Sequence, residues 1–565
     1  MRVDIIDNEK ALRALAANWD AVYEADPEAH FYLSFIWMAQ WLAWLNRPWF
    51  VLAARPAEEE RYVAFFPLWV ETKELKSGGF CNSFFMGGNN TADYTGFICL
   101  PAHEEQAIPA FADSLQQLNW ATLRIEFLRA SERRTRLFLD AFPADAFKRS
   151  ELKRVDKDGI DSSRCPFIRL PGDWEAYLTG CLSANSRQKF RRLLRRVETS
   201  GEFRITHADA ATIDRDLGIV LDLWTTRWRP QKGAGIDTIV KNYRAMLHHA
   251  FRSGALFLPM LWQGERSLGG LAILVDTRKK SLLFFLAGRD ETFEDMPSGL
   301  ALHAHAIRHA IRNGFEIYDF LRGNEPYKYN FGVEERRIAS FVLSTKDDAN
   351  LGGRLDRRSR LDFVVERTQE HHRAGRNVEA EAGFRQILAL APDNADALYG
   401  LGQILAKSGE HAEAIGLLRR LLGRRPDLVR GWFWLGRSLR VGGDFWEAVR
   451  AYCEGIERQP APAGAYYDLG HMLLQLRQAD LAVAAFDAAH DLQPDLPDLA
   501  ASRARALRQR SALSSEEFAQ LAADHAELCA RVARLGAIAA VMDRDLRTAL
   551  AGPPAPVDHD DARVS

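Results

Sequence analysis

Cysteine is scarce: there are six in 565 residues, at 81, 99, 165, 181, 453 and 529, with no CxxC pair among them. Such a scatter argues against structural zinc and against a disulfide framework, and it fits a reducing cytoplasm. Long apolar runs are lacking too. The longest uncharged one, residues 31–46, has 16 residues and contains Ser34 and Gln40, short of the roughly 20 that a membrane span needs. Its aromatics at 31, 32, 35, 37, 41 and 44 are expected to pack a core. The N-terminus, MRVDIIDNEKALRALAANWD, is acidic and amphipathic and lacks the basic-then-apolar order of a secretory signal. Charge of one sign is also missing: the net value is −2 with 27% charged residues, so any affinity for phosphate or nucleic acid must be local.

The length suits three or four domains. Ionisable side chains concentrate in residues 314–332, GFEIYDFLRGNEPYKYNFG. Residues 316–321 alternate as a strand does, and 322–326, Arg-Gly-Asn-Glu-Pro, break it with turn chemistry. Tyr327, Lys328, Tyr329 and Phe331 follow, returning a cation and two phenols onto an apolar anchor. Ahead of this stretch, residues 255–262, 268–275 and 281–288 read as three strands joined by short turns. Residues 298–313 carry a helical apolar repeat ended by Gly314, and a last strand is expected near 338–344.

The first half repeats that order more weakly. Helices at 8–24 and 34–45 lead to strands at 50–54, 61–70, 84–86 and 94–99, then a helix at 103–118 and a strand at 122–127. The glycine-rich loop 87–94, GGNNTADY, is either one wall of an acceptor pocket or a tight hairpin. Polar residues 150–166 mark a seam. In the helix that follows, Arg187, Lys189, Arg191, Arg192, Arg195 and Arg196 place six cations within ten residues. A solvated face, a phosphate cradle and a patch for tRNA or an anionic glycan lipid all remain open. Trp224 and Trp228 share a helix face, either as core or as a sugar platform. His305 and His309 have the i, i+4 spacing of a metal pair but lack a third ligand, so packing is expected and no metal site is assigned.

After a charged linker, 346–360, the pattern changes. Pro392, Pro426, Pro460 and Pro494 recur every 34 residues, each 12 after Ala380, Ala414, Ala448 or Ala482. Phe384, Leu418, Tyr452 and Phe486 keep the same register, as do the Leu-Gly pairs 401–402, 435–436 and 469–470. This is a tetratricopeptide period. Four repeats are expected over 361–494, capping helices over 495–550, and a disordered tail over 551–565.

The words Met-Pro-Ser-Gly-Leu-Ala-Leu (296–302), Tyr-Asp-Phe-Leu-Arg-Gly (318–323), Pro-Tyr-Lys (326–328) and Phe-Gly (331–332) resemble the FemAB-like and CelD-like members of the GNAT acyltransferases. So does the run SANSRQKFRRLLRRV at 183–197. The resemblance covers residues 1 to about 345. It implies a multidomain fold: an α/β (α+β) acyltransferase body of two GNAT-type units, 1–155 (degenerate) and 166–345, followed by an all-α solenoid.

What the resemblance implies chemically is transfer from acetyl-CoA or another acyl-CoA to an amine or hydroxyl of a small molecule or glycan precursor. A protein or peptide partner would sit on the concave face of the repeats. A backbone N–H near Leu286, Ala287 or Gly288 would polarise the thioester, and Ser298, Gly299 and Leu300 would meet the pyrophosphate at a helix start. Proton transfer is assigned to the group Asp319, Arg322, Glu325, Tyr327 and Lys328, with Asp319 or Glu325 as base. The helix start departs from the RxxGxG/A signature, and some relatives use aminoacyl-tRNA. A tRNA-dependent peptidyl transferase and a catalytically degenerate scaffold therefore remain as alternatives.

Overall fold

The computed structural model describes residues 1–512 except 77, 90 and 460, together with 523, 526–528 and 530–535. The chain divides into two compact units, one of Met1–Lys73 with Cys81–Arg360, the other of Glu74–Phe80 with Leu361–Ser565.

The first unit holds two eight-stranded sheets. One contains β1 (Arg2–Ile6), β2 (Trp49–Arg55), β3 (Ala64–Glu74), β4 (Phe80–Met86), β6 (Thr122–Leu128) and β7 (Phe147–Glu151), with β5 (Ile98–Cys99) paired to β3. Between β6 and β7 lies β16 (Ala339–Thr345). The other sheet runs in the order β15 (Glu334–Arg337), β8 (Arg164–Arg169), β14 (Ile317–Asp319), β13 (Ser281–Arg289), β12 (Arg266–Asp276), β11 (Pro259–Gln263) and β9 (Phe203–His207). A short β10 (Leu256–Phe257) adds to β12.

The strand expected near 338–344 thus forms, but in the first sheet, antiparallel to β6 and β7. In return β8, whose first residues fall in the polar seam, joins the second sheet beside β14. The first sheet is thus completed by a strand from the second half. Residues 346–360, expected as a linker, are held against β4: Asn82 N–H donates to Asn350 Oδ1 (2.8 Å), and Asp356 N–H to Asn82 Oδ1 (2.9 Å).

The two sheets share a motif. Three successive strands precede a helix, Glu104–Gln116 in one and Ser298–Arg312 in the other, and the chain returns parallel to the last of the three. That return pairs residues 83–85 with 122–124 and residues 281–283 with 317–319, three residues each time. Beyond that point the sheets differ. In the first, Thr95 closes the gap: its N–H donates to Phe127 O (2.9 Å) and its carbonyl accepts from Arg129 N–H (3.0 Å). In the second, β14 stops at Asp319 while β13 continues to Arg289.

Both sheets are covered on both faces, because their strands are apolar on either side. The helix Glu104–Gln116 seals one face of the first sheet and the N-terminal helices the other. The second lies between Ala184–Thr199 with Ser298–Arg312 and Ile213–Lys232 with Ile236–Arg252. No helix among the described residues is long and apolar enough to cross a membrane.

In the second unit, four helix pairs follow the 34-residue period: Leu361–Arg373 with Asn377–Leu390, Ala395–Ser408 with His411–Arg424, Val429–Val441 with Phe445–Arg458, and Ala463–Gln475 with Ala479–Leu492. The repeated glycine is required by contact. A Cβ on Gly436 would lie 2.4 Å from the Tyr452 ring, and one on Gly470 2.6 Å from the Phe486 ring. A further helix, Leu499–Ala512, packs on the last pair. The expected tail at 551–565 and most of the expected capping helices lie outside the described residues, as do Asn90 and Pro460.

One buried ion cluster pins the first unit. Arg134, 1% exposed, meets Asp26 (2.8 and 3.0 Å) and Glu104 (2.7 Å). Removing the cation leaves the buried Asp26 without its ion pair and Glu104 with Arg133 alone. Arg134→Ala is expected to cost about 3–5 kcal/mol in urea unfolding, whereas an exposed control such as Arg136→Ala should change stability by under about 0.5 kcal/mol.

Candidate active site

The parallel pairing of β13 with β14 ends at Leu283–Asp319, so from Phe284 onward no strand among the described residues lies beside that edge of β13. On its opposite edge, against β12, β13 carries a bulge. Ala272 pairs with Leu286 and Ile273 with Phe284, which leaves Phe285 as an extra residue. A bulge of this kind bends the strand and frees backbone groups from the ladder.

The opening is a cleft of about 510 Å³. Its floor is Phe284, Ala287 and Arg289 of β13. Gly299, Leu300 and His303 of the helix Ser298–Arg312 form one wall, and Glu325, Tyr327, Asn330 and Phe331 another. Lys189 of the basic helix and Arg227 and Trp228 of the helix Ile213–Lys232 close the rim. The helix Ser298–Arg312 begins after Pro297 with no side-chain cap and no acid in its first turn. A Cβ added at Gly299 would meet only open space. Uncapped N–H groups with the helix dipole behind them form an anion site.

The predicted residues divide. Glu325, Tyr327, Ala287, Gly299 and Leu300 line the cleft; Asp319, Arg322, Lys328, Leu286, Gly288 and Ser298 do not. Asp319 is buried at the end of β14. It accepts from Tyr94 Oη (2.8 Å), Arg336 Nη1 (2.9 Å) and Leu321 N–H (2.8 Å), and the last of these holds Leu321 at φ 60°, a left-handed conformation that costs energy for leucine. Arg322 donates to Asp93 (2.7 Å) and stacks on Phe127 at 3.6 Å. Lys328, 3% exposed, donates to the carbonyls of Arg322 (2.7 Å) and Gly323 (3.0 Å) and lies 2.9 Å from Glu325 Oε2. These three side chains shape the 320–328 turn, and through Lys328 they set where Glu325 points. Leu286 and Ser298 are buried. Gly288 is glycine because the helix Ile213–Lys232 crosses it: an added Cβ would lie 2.1 Å from Val220 O.

Sequence reasoning passed over His303, Arg289 and Arg336. His303 sits four residues after Gly299, on the same helix face, and that spacing was the available signal. Its Nδ1 pairs with Tyr318 Oη (2.8 Å), and its ring stands edge-on to Phe284 at 4.5 Å. Burial, aided by the Lys328 charge, pushes its pKa down to about 3, so the imidazole is neutral near pH 7 and a poor proton acceptor. Arg227 and Arg289 both pair with Glu291 at 3.2 Å. Lys189 has no ion pair among the described residues.

The GGNNTADY loop does several jobs. Asp93 and Tyr94 brace Arg322 and Asp319. Asn89 and Thr91 line a second cleft, of about 400 Å³, with Trp37, Trp41 and Trp44 opposite Lys241, Asn242 and His249. Trp44 is 46% exposed, so the aromatics of residues 31–46 are not all core. Trp224 is buried, whereas Trp228 reaches the first cleft.

His305 Nε2 lies 2.8 Å from His207 Nε2, and His309 stacks on Phe257. No cluster of three or more His, Cys, Asp or Glu among the described residues is arranged to hold a metal ion. Cys165 is fully buried, and burial pushes its thiol up to about 12; Cys181 is half-buried. Cys529 lies outside the described residues.

Residues 184–329 match the family model for an acetyltransferase (GNAT) domain, and residues 371–431 and 432–497 match tetratricopeptide repeat models. The chain carries a GNAT-type acetyltransferase domain followed by tetratricopeptide repeats. Among solved structures it is similar to FemX (12% identity, 60% of this chain and 97% of that chain, TM-score 0.42). It is also similar to MamA (15% identity, 35% of this chain and 98% of that chain, TM-score 0.26). A third is an O-GlcNAc transferase mutant from Thermobaculum terrenum (26% identity, 20% of this chain and 22% of that chain, TM-score 0.19). No curated protein matches the chain. The GNAT match spans the basic helix, the meander, the uncapped helix and the 314–329 turn, and so contains most of the first cleft.

His303 gives a pH test. Its folded pKa, about 3, lies below the ordinary 6.5, so between those values the unfolded chain binds a proton that the folded chain refuses. Stability is complete above pH 6.5 and falls as pH drops. His303→Gln should flatten that fall by up to about 1.4 kcal/mol per pH unit in urea unfolding at pH 4–7. His305, also pushed down to about 3, should show the same sign.

Proposed function

We propose that the chain transfers an acyl group from an acyl-coenzyme A to an amine or hydroxyl acceptor, in polysaccharide or cell-envelope precursor metabolism, while its repeats dock a protein partner. The observation that carries this reading is the meeting, in one cleft, of the open edge of the bulged strand β13 with an uncapped helix N-terminus. In this reading the pyrophosphate would meet the N–H groups of Gly299 and Leu300, with Lys189 as counter-charge. The acyl carbonyl would accept from a backbone N–H on the open edge of β13 beyond Leu283, where negative charge develops during attack.

Glu325 is the base that fits best, being the carboxylate that lines the cleft within the predicted group. It would take the proton of the attacking amine or hydroxyl as the new bond forms and the thiolate departs. Lys328 would position it. Tyr327, whose phenol is pushed up by burial and by Glu325, would stay protonated and serve the thiolate as donor. Asp319 and Arg322 would act as positioning residues for the turn.

A second donor is favoured by one observation. Lys189 belongs both to the cleft and to an exposed basic face where Arg192 and Arg195 have no ion pair among the described residues. Such a face suits the phosphates of an aminoacyl-tRNA.

The test is mass spectrometry of amine and sugar-amine acceptors incubated with the full chain and acetyl-CoA, longer acyl-CoAs or charged tRNA. Acylation from a CoA ester, with Glu325→Gln lowering turnover about a hundred- to ten-thousand-fold, is the expected result. Transfer only from charged tRNA selects the second donor. If no donor is consumed and none raises the melting temperature, the chain is a scaffold and the proposal fails.

A further inference from the structure

In the second unit, the side chains that face along the first helices of successive repeats touch one another in a row. His372 Nε2 meets Gln403 Oε1 at 3.1 Å. Tyr399 lies beside Gln403 and Trp434. Trp434 is faced by Lys407 and Arg437, each 5.6 Å from the ring centroid. This strip crosses three repeats and mixes aromatic surface with cations.

Its cations are unpaired. Lys407, Arg430, Arg437 and Arg440 have no ion pair among the described residues, and Arg440 Nε is buried without a hydrogen-bond partner. The arginines of the second helices behave otherwise. Arg385 is bound by Glu381 and Glu413, Arg450 by Glu447, and Arg458 by Glu454. Acids are therefore available to this solenoid, and they sit away from the strip. On the first helices, Asp396 is exposed at the start of the helix that carries Tyr399, and Asp468 is engaged by Tyr452 Oη at 2.9 Å.

We propose that this strip binds an acidic peptide segment, in which carboxylates alternate with apolar side chains, presented by a partner protein. The Arg437 guanidinium, held beside a flat indole, suits a carboxylate in two-point hydrogen bonds, while Trp434 and Tyr399 take the apolar side chains between the acids. A polyphosphate chain fits less well, because Asp396 and Asp468 would repel a continuous line of phosphates. The inference deepens the docking half of the proposed function and is independent of the acyl donor, since its readout is binding alone.

The experiment is fluorescence anisotropy with the full chain and a fluorescein-labelled 12-residue peptide of four Asp-Leu-Glu repeats. The same peptide in Asn-Leu-Gln form and a 20-nucleotide polyuridylate are the comparisons. The acidic peptide should bind at least about tenfold more tightly than its amide counterpart, and weaken between 50 and 300 mM NaCl as ion pairs are screened. The exposed single variant Arg437→Gln should weaken it several-fold, and Arg437→Gln with Arg440→Gln by about tenfold, with helical circular dichroism unchanged. Equal binding of the two peptides, no loss in Arg437→Gln, or tighter binding of polyuridylate that is lost in the same variants would overturn the proposal.

Discussion

A strand in the middle of a sheet normally has both edges hydrogen-bonded, and a buried backbone N–H or C=O without a partner costs energy of the same order as a lost hydrogen bond. In this chain β13 is paired on both sides for only three residues and then runs on beside a cleft. The second sheet is organised around keeping that edge free. Gly288 lets the helix Ile213–Lys232 press against the back of the strand, the bulge at Phe285 bends it, and Asp319 halts β14 by turning the chain away through Leu321. The buried charges around Asp319 and Lys328 hold the turn that walls the opening.

The first sheet provides an internal control. It has the same parallel return with three paired residues, yet there Thr95 bonds to Phe127 and Arg129 and occupies the gap. The loop that plugs the first opening also supplies Asp93 and Tyr94, which brace the rim of the second. The first half thus fills the opening that the second keeps, and the same loop braces the turn that walls the cleft in the second sheet.

Much of this was legible in the sequence where the signal is local. The 34-residue period is visible because helix contacts such as Gly436 on Tyr452 permit only small residues at a fixed register. The three successive strands and the helix follow from apolar periodicity and turn residues, whereas the strand expected over 316–321 forms only at Ile317–Asp319. Partners distant in sequence were not legible. Strand pattern alone cannot say that β16 crosses to the first sheet, nor that Asp319 meets Tyr94, 225 positions away. An ionisable residue after a strand reads equally as a base or as a brace: Glu325 lines the cleft, whereas Asp319 and Lys328 are consumed by the fold. His303 was hidden because a histidine inside an apolar helical repeat looks like packing.

The proposed activity requires that the free edge of β13 be the surface that receives a thioester donor. Hydrogen–deuterium exchange of the full chain with and without coenzyme A addresses it most directly. Slower exchange confined to residues 284–289 and to the start of the helix Ser298–Arg312, with residues 281–283 unchanged, is the predicted result. Protection absent from 284–289, or appearing only in the first sheet, would contradict it.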